Sequence, residues 1–144
     1  MRKQYETEQD RTNERSIIDQ GLKVWGNGTQ ARKLPSSYIL DWAILDEDDN
    51  IVCWVETKKW TNVYEDFETY MVSLHKILAM QNMTTVTGLP SILMVGWSDQ
   101  TRVWSPSNGK VTLKWGGRYV QKRDSQDVEP VVHIPIADFK RLDE

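Results

Sequence analysis

Two short runs rich in β-branched and aromatic residues, Tyr38–Leu45 (YILDWAIL) and Ile51–Val55 (IVCWV), stand on either side of Asp46–Asn50 (DEDDN), a cluster of turn formers. Such a pair specifies a β-hairpin, and it constrains this chain more than any other feature. With the turn centred between Asp48 and Asp49, residue i faces residue 97 − i, which sets Asp41 opposite Glu56. A slip of one or two positions still leaves Asp41 beside Glu56 or Lys58.

The remaining patterns build outwards from that hairpin. Residues 6–20 read as a helix in which Glu14, Ile17, Ile18 and Gly21 share a face, with Gly21 as its C-terminal stop. Trp25–Pro35 holds two glycines and a proline and reads as an irregular connection or a short strand. Residues 64–83 predict a long helix with Phe67, Tyr70, Met71, Leu74, Ile77 and Leu78 along one stripe, ended by Gly88 and Pro90. Ser91–Trp97 is a buried strand by its near-continuous apolarity. Thr101–Trp104 and Val111–Trp115 flank the turn SPSNGK as a second hairpin. Val131–Ile134 reads as a last strand and Ile136–Leu142 as a short closing helix. The order gives an α/β fold, a mixed sheet with helices packed on it, in one domain over residues 1–144.

Composition narrows the function classes. No apolar run approaches the roughly 20 residues of a membrane span, and the N-terminus lacks the apolar core of a secretory signal. The single cysteine, Cys53, excludes an intrachain disulfide, and two histidines (His75, His133) argue against a histidine-dominated metal site. A cytoplasmic setting is expected. A net charge of −3 speaks against a protein that coats DNA but leaves room for local contact. From Arg102 to Arg123 the chain carries six basic residues and no acidic one, interleaved with Trp104, Trp115 and Tyr119. Cations track a phosphate backbone and aromatics stack on bases, so Lys114 and Arg118 are candidate nucleic-acid contacts. The alternative is an edge hairpin whose lysines discourage aggregation.

The chemistry concentrates on the first hairpin. Glu56 and Lys58, two apart on a strand, project to one face, and Asp41 reaches the same place from the partner strand. Two carboxylates and an ammonium crowded together are costly unless something binds them. Mg²⁺ is the cation that such oxygen ligands accept, with the Thr57 carbonyl as a further donor. A metal-activated water could then attack a phosphodiester, with Lys58 orienting it or stabilising the developing charge. The same acid-x-lysine spacing recurs at Asp138-Phe139-Lys140, in the expected terminal helix, where the side chains would diverge. The bland reading of the first pair is an exposed cross-strand salt bridge.

The pattern of Asp41, then Glu56-Thr57-Lys58, with a preceding helix bearing Glu14 and a following amphipathic helix, resembles the PD-(D/E)XK nuclease superfamily, whose core is restriction-endonuclease-like. More narrowly, the segment YMVSLHKILAMQNMTTVTGLPSILMVGWSDQTRVW is similar to small phage-encoded members. The resemblance implies Asp41 and Glu56 as metal ligands and Lys58 as catalytic lysine. It also implies Glu14 as the acid of helix one and Lys76 as the polar residue of helix two facing the site. Leu40 stands where the superfamily's name has proline. The expectation is a Mg²⁺- (or Mn²⁺-) dependent nuclease acting on DNA, with homodimerisation an option. The rival is a nucleic-acid-binding or structural protein of the same fold that does not cleave.

Overall fold

The computed structural model describes residues 8–26, 29–107, 111–117 and 128–143. Helix α1 (Glu8–Trp25) leads into β1 (Gln30–Lys33), β2 (Trp42–Leu45) and β3 (Ile51–Lys59). A 3-10 turn at Tyr64–Asp66 precedes β4 (Thr69–Ser73), α2 (Leu74–Thr87), β5 (Ser91–Gly96) and β6 (Thr101–Trp104). Strands β7 (Thr112–Gly117) and β8 (Val128–Pro135), a 3-10 turn at Ile136–Asp138 and β9 (Lys140–Arg141) complete the order. Six strands form one mixed sheet in the order β1-β2-β3-β5-β6-β9, and β4-β8-β7 form a second.

The hairpin register holds: Trp42 faces Val55, Ala43 faces Trp54 and Ile44 faces Cys53, each pair summing to 97. A bulge between Ile44 and Leu45 absorbs one residue before the turn, where Asp46 Oδ1 accepts the N–H groups of Asp48 and Asn50. Alternation then sorts the core into two layers. Trp42, Ile44, Val55 and Met94 face α1, which presents Ile17 and Ile18. Ala43, Leu45, Trp54, Leu93 and Val95 face the other way, against Ile77 and Met80 of α2 and against Tyr70, Val72, Val132 and Ile134 of the second sheet. The main sheet is therefore covered on both faces, as the parallel pairing of β3 with β5 requires.

Several sequence expectations give way here. The helix expected over residues 64–83 is a strand followed by a helix. Thr69–Ser73 alternates buried Tyr70 and Val72 with exposed Met71, and its aromatic and apolar residues also happen to fit a helical stripe with Leu74 and Ile77. Ser73 marks the true start: its Oγ caps α2 by accepting the His75 N–H at 3.1 Å. Gly88, in the left-handed conformation, ends α2 as expected. Helix α1 does not stop at Gly21; it runs to Trp25, and Gly21 is where the backbone passes close to the Trp25 ring and Met94. The second hairpin does not form. Strand β6 pairs with β5 and β9 in the main sheet, while β7 pairs with β8 in the other. The closing helix is a single 3-10 turn followed by a two-residue strand, β9. Among the described residues no helix is long and apolar enough to cross a membrane.

Candidate active site

The site forms where β2 begins and β3 nears its carboxyl end. Glu56 lies on the α2 face of β3 and is 1% exposed. Its Oε2 pairs with Lys76 Nζ of α2 at 3.0 Å, and the same ammonium donates to the Ile39 carbonyl at 2.6 Å. Its Oε1 is buried without a hydrogen-bond partner. Burial pushes the Glu56 carboxyl up to about 7, and the neighbouring Asp41 charge adds to this, while Lys76 and Lys58 act in the opposite direction. Lys58, two residues on along the same face, is exposed. The phenol of Tyr70, buried among core aromatics, is raised by burial and by the Glu56 charge.

Asp41 is held from the other side. Its Oδ2 accepts the Thr57 N–H at 2.9 Å and Thr57 Oγ1 at 3.1 Å, and Trp42 Nε1 donates to that same Oγ1 at 3.3 Å. Its Oδ1 faces Lys33 Nζ at 3.4 Å. Lys33 also pairs with Glu14 Oε2 of α1 at 2.6 Å, so Glu14 and Asp41 share one ammonium. Trp54 and Trp60 donate their N–H groups to the Pro90 and Gly96 carbonyls, so even-numbered residues of β3 bond towards β5. Thr57 therefore turns both backbone groups towards the β2 side, and its N–H meets Asp41 there.

This donor chemistry fits a hard divalent cation. Glu56 is buried with the Asp41 charge beside it, and its Oε1 is buried and unsatisfied. No group of three or more His, Cys, Asp or Glu side chains able to hold a metal occurs among the described residues, so Glu14 is not a third carboxylate ligand in this arrangement. The structure thus brings Asp41, Glu56, Thr57, Lys58 and Lys76 to one strand end, with Glu14 joined through Lys33. Sequence reasoning missed Lys33. Its register partner is Trp42, the residue after Asp41, but four mostly exposed residues at a sheet edge give almost no pattern to read.

The other candidates lie elsewhere. Lys114 is exposed on β7, the edge strand of the second sheet, beside Trp115 at 68% exposure; Arg118 falls outside the described residues. Trp104, from the same basic stretch, is core. Asp138 ends the 3-10 turn and Lys140 begins β9, so the two do not share the terminal helix expected for them. His75 is exposed on α2. Cys53 is half-buried, its thiol pushed up to about 12 by burial, so it is a packing residue rather than a nucleophile.

No curated protein matches the chain. Among solved structures, the Holliday junction resolvase Hjc of Archaeoglobus fulgidus has a similar fold, with a TM-score of 0.52 over 88% of this chain and 96% of the resolvase at 12% identity. The fold is restriction-endonuclease-like, as the resemblance implied. The family model described as "Phage putative PDDEXK endonuclease" matches residues 1–142, nearly the whole length, and the chain belongs to that family.

Proposed function

We propose that the chain is a divalent-metal-dependent endonuclease that hydrolyses phosphodiester bonds in DNA, with Asp41, Glu56 and the Thr57 carbonyl holding Mg²⁺ or Mn²⁺. The observation that carries this is the buried, unpartnered Oε1 of Glu56 beside Asp41. A carboxylate kept in that state without a ligand costs stability, and a cation removes the cost. When bound, the metal supplies Lewis acidity, lowering the pKa of water and offsetting phosphate charge.

The chain's own groups divide the remaining work. Lys76 fixes Oε2 of Glu56 and leaves Oε1 for a ligand; Thr57 fixes Oδ2 of Asp41 in the same way. Lys58, exposed on the face of Glu56, is available to orient the attacking water or to stabilise charge on the phosphorane oxygens. Lys114 and Arg118 are proposed to grip the DNA backbone. Family membership supports nuclease action. Because the structural neighbour is a junction resolvase, branched DNA is the first substrate to try.

The test is incubation of linear, circular and branched DNA with and without Mn²⁺, alongside calorimetric Mn²⁺ titration of wild type and Glu56→Gln. Metal-dependent cleavage, with metal binding lost in the variant, is the expected result. Undiminished Mn²⁺ binding by Glu56→Gln sinks the metal-site reading. Metal binding and DNA binding without cleavage of any substrate would favour the non-cleaving alternative.

A further inference from the structure

We infer that Lys33 is a tethered counter-cation of the carboxylate site, a positioning residue that holds Asp41 and Glu14 when no divalent metal is bound and competes with that metal for Asp41. The inference rests on the metal-site reading above and deepens it.

Each of the two central carboxylates has one oxygen fixed by the protein and one turned to something else. On Glu56, Lys76 takes Oε2 and Oε1 has no partner. On Asp41, the Thr57 N–H and hydroxyl take Oδ2, and Oδ1 faces the Lys33 ammonium at 3.4 Å. The Lys33 ammonium thus supplies countercharge to Asp41 on the oxygen that the backbone leaves free, whereas Glu56 Oε1 has no hydrogen-bond partner.

The ammonium is placed rather than loosely draped. It lies 2.6 Å from Glu14 Oε2 and 5.4 Å from the centroid of the Trp42 ring. Trp42 is in turn bonded through Nε1 to Thr57 Oγ1, the hydroxyl that fixes Asp41. Lys33, Glu14 and Asp41 side chains are 38%, 17% and 15% exposed, so the pairs are partly shielded and stronger than open surface bridges. A single charge on a flexible stem is also easily withdrawn. A divalent ion approaching Oδ1 meets like charge at close range, and Lys33 must give up its 3.4 Å contact and swing away before the carboxylate is open to the ion. Metal-free, the site keeps its shape; metal-loaded, it does so at reduced affinity.

The experiment compares wild type, Lys33→Met, Lys33→Gln and Lys33→Arg by calorimetric Mn²⁺ titration without DNA, together with thermal unfolding in chelator and in Mn²⁺. Both neutral variants should bind Mn²⁺ roughly tenfold more tightly than wild type, and Lys33→Arg should stay close to wild type. The neutral variants should also melt lower in chelator and recover in Mn²⁺. A purely structural role would lower the melting point under both conditions and would not tighten metal binding. Mn²⁺ binding by wild type with no gain in either neutral variant overturns the inference alone. Failure of every protein to bind Mn²⁺ overturns the metal-site reading and this inference with it.

Discussion

Glu56 joins stability, pH and metal binding in one side chain. Its carboxyl titrates near 7 in the fold against 4.5 for the unperturbed group, because burial and the Asp41 charge disfavour the ionised form. Below pH 4.5 folded and unfolded chains are both protonated there, and nothing is lost. Between 4.5 and 7 the unfolded chain ionises first, so stability falls as pH rises; above 7 the loss is complete and constant. Its size is on the order of 3 kcal/mol at most. Urea unfolding in chelator at pH 5 and pH 8 should therefore show wild type weakening with pH by more than Glu56→Gln, which has no proton to lose. Equal pH dependence would mean that Glu56 is not the perturbed group. A bound divalent cation requires the ionised form, so Mn²⁺ affinity should fall as pH drops below 7, with proton uptake on metal release. The remaining site residues act through simpler terms, and Lys76→Ala illustrates this. It strips Glu56 Oε2 of its partner and should raise the carboxyl's proton affinity further, moving the onset of Mn²⁺ binding to higher pH.

At the scale of elements, α1 owes its seat to a missing side chain. A Cβ on Gly96 of β5 would lie 2.9 Å from both Cδ1 and Cγ1 of Ile17, so the helix rests directly on that strand. Replacing glycine by alanine in a strand is ordinarily favourable, through lower unfolded-state entropy. Here the clash should win. Gly96→Ala should destabilise by about 1–3 kcal/mol, and Ile17→Val, which removes one contacting carbon, should recover part of that in the double variant. Denaturant titration of the four proteins checks the sign and the coupling. The hairpin that carries Asp41, Glu56 and Lys58 was legible from sequence, including its register, because one turn cluster between two alternating runs leaves few options. Strand β4 was not, because Tyr70, Leu74 and Ile77 satisfy a helical period while Tyr70 and Val72 satisfy a strand's, and only the Ser73 cap separates the two. Strand β1 answers the short-strand alternative offered for Trp25–Pro35, but the role of Lys33 was hidden, because an exposed edge strand of four residues needs no apolar pattern that would single out one side chain. The second hairpin failed for a different reason. Neighbouring strands usually pair, but β6 and β7 belong to different sheets, and nothing local to SPSNGK records that β6 has β5 and β9 as partners.

The proposed chemistry and Lys114, one of the two proposed DNA contacts, lie on different sheets. Asp41, Glu56 and Lys58 lie at a strand end of the main sheet, whereas Lys114 lies on β7, at the edge of the second. A chain with net charge −3 cannot hold DNA by its overall field, so affinity must come from a few local cations, and the question is which. If Lys114 and Arg118 each neutralise about one phosphate, losing both should lower the salt slope of DNA affinity by about two. Their cost should fall on KM, because contacts to the DNA backbone contribute equally to ground and transition states. Lys58→Ala should divide the other way, with its cost in turnover, since its ammonium is proposed to meet charge that develops only as the bond breaks. Fluorescence anisotropy of a labelled duplex in Ca²⁺, at several salt concentrations, reads the first effect without cleavage; single-turnover rates in Mn²⁺ read the second. An unchanged slope in the double variant would return β7 to a plain edge strand. The DNA path would then have to run along α1, where Arg15 lies over the Trp42 ring, 5.5 Å from its centroid, beside the Lys33 that guards Asp41.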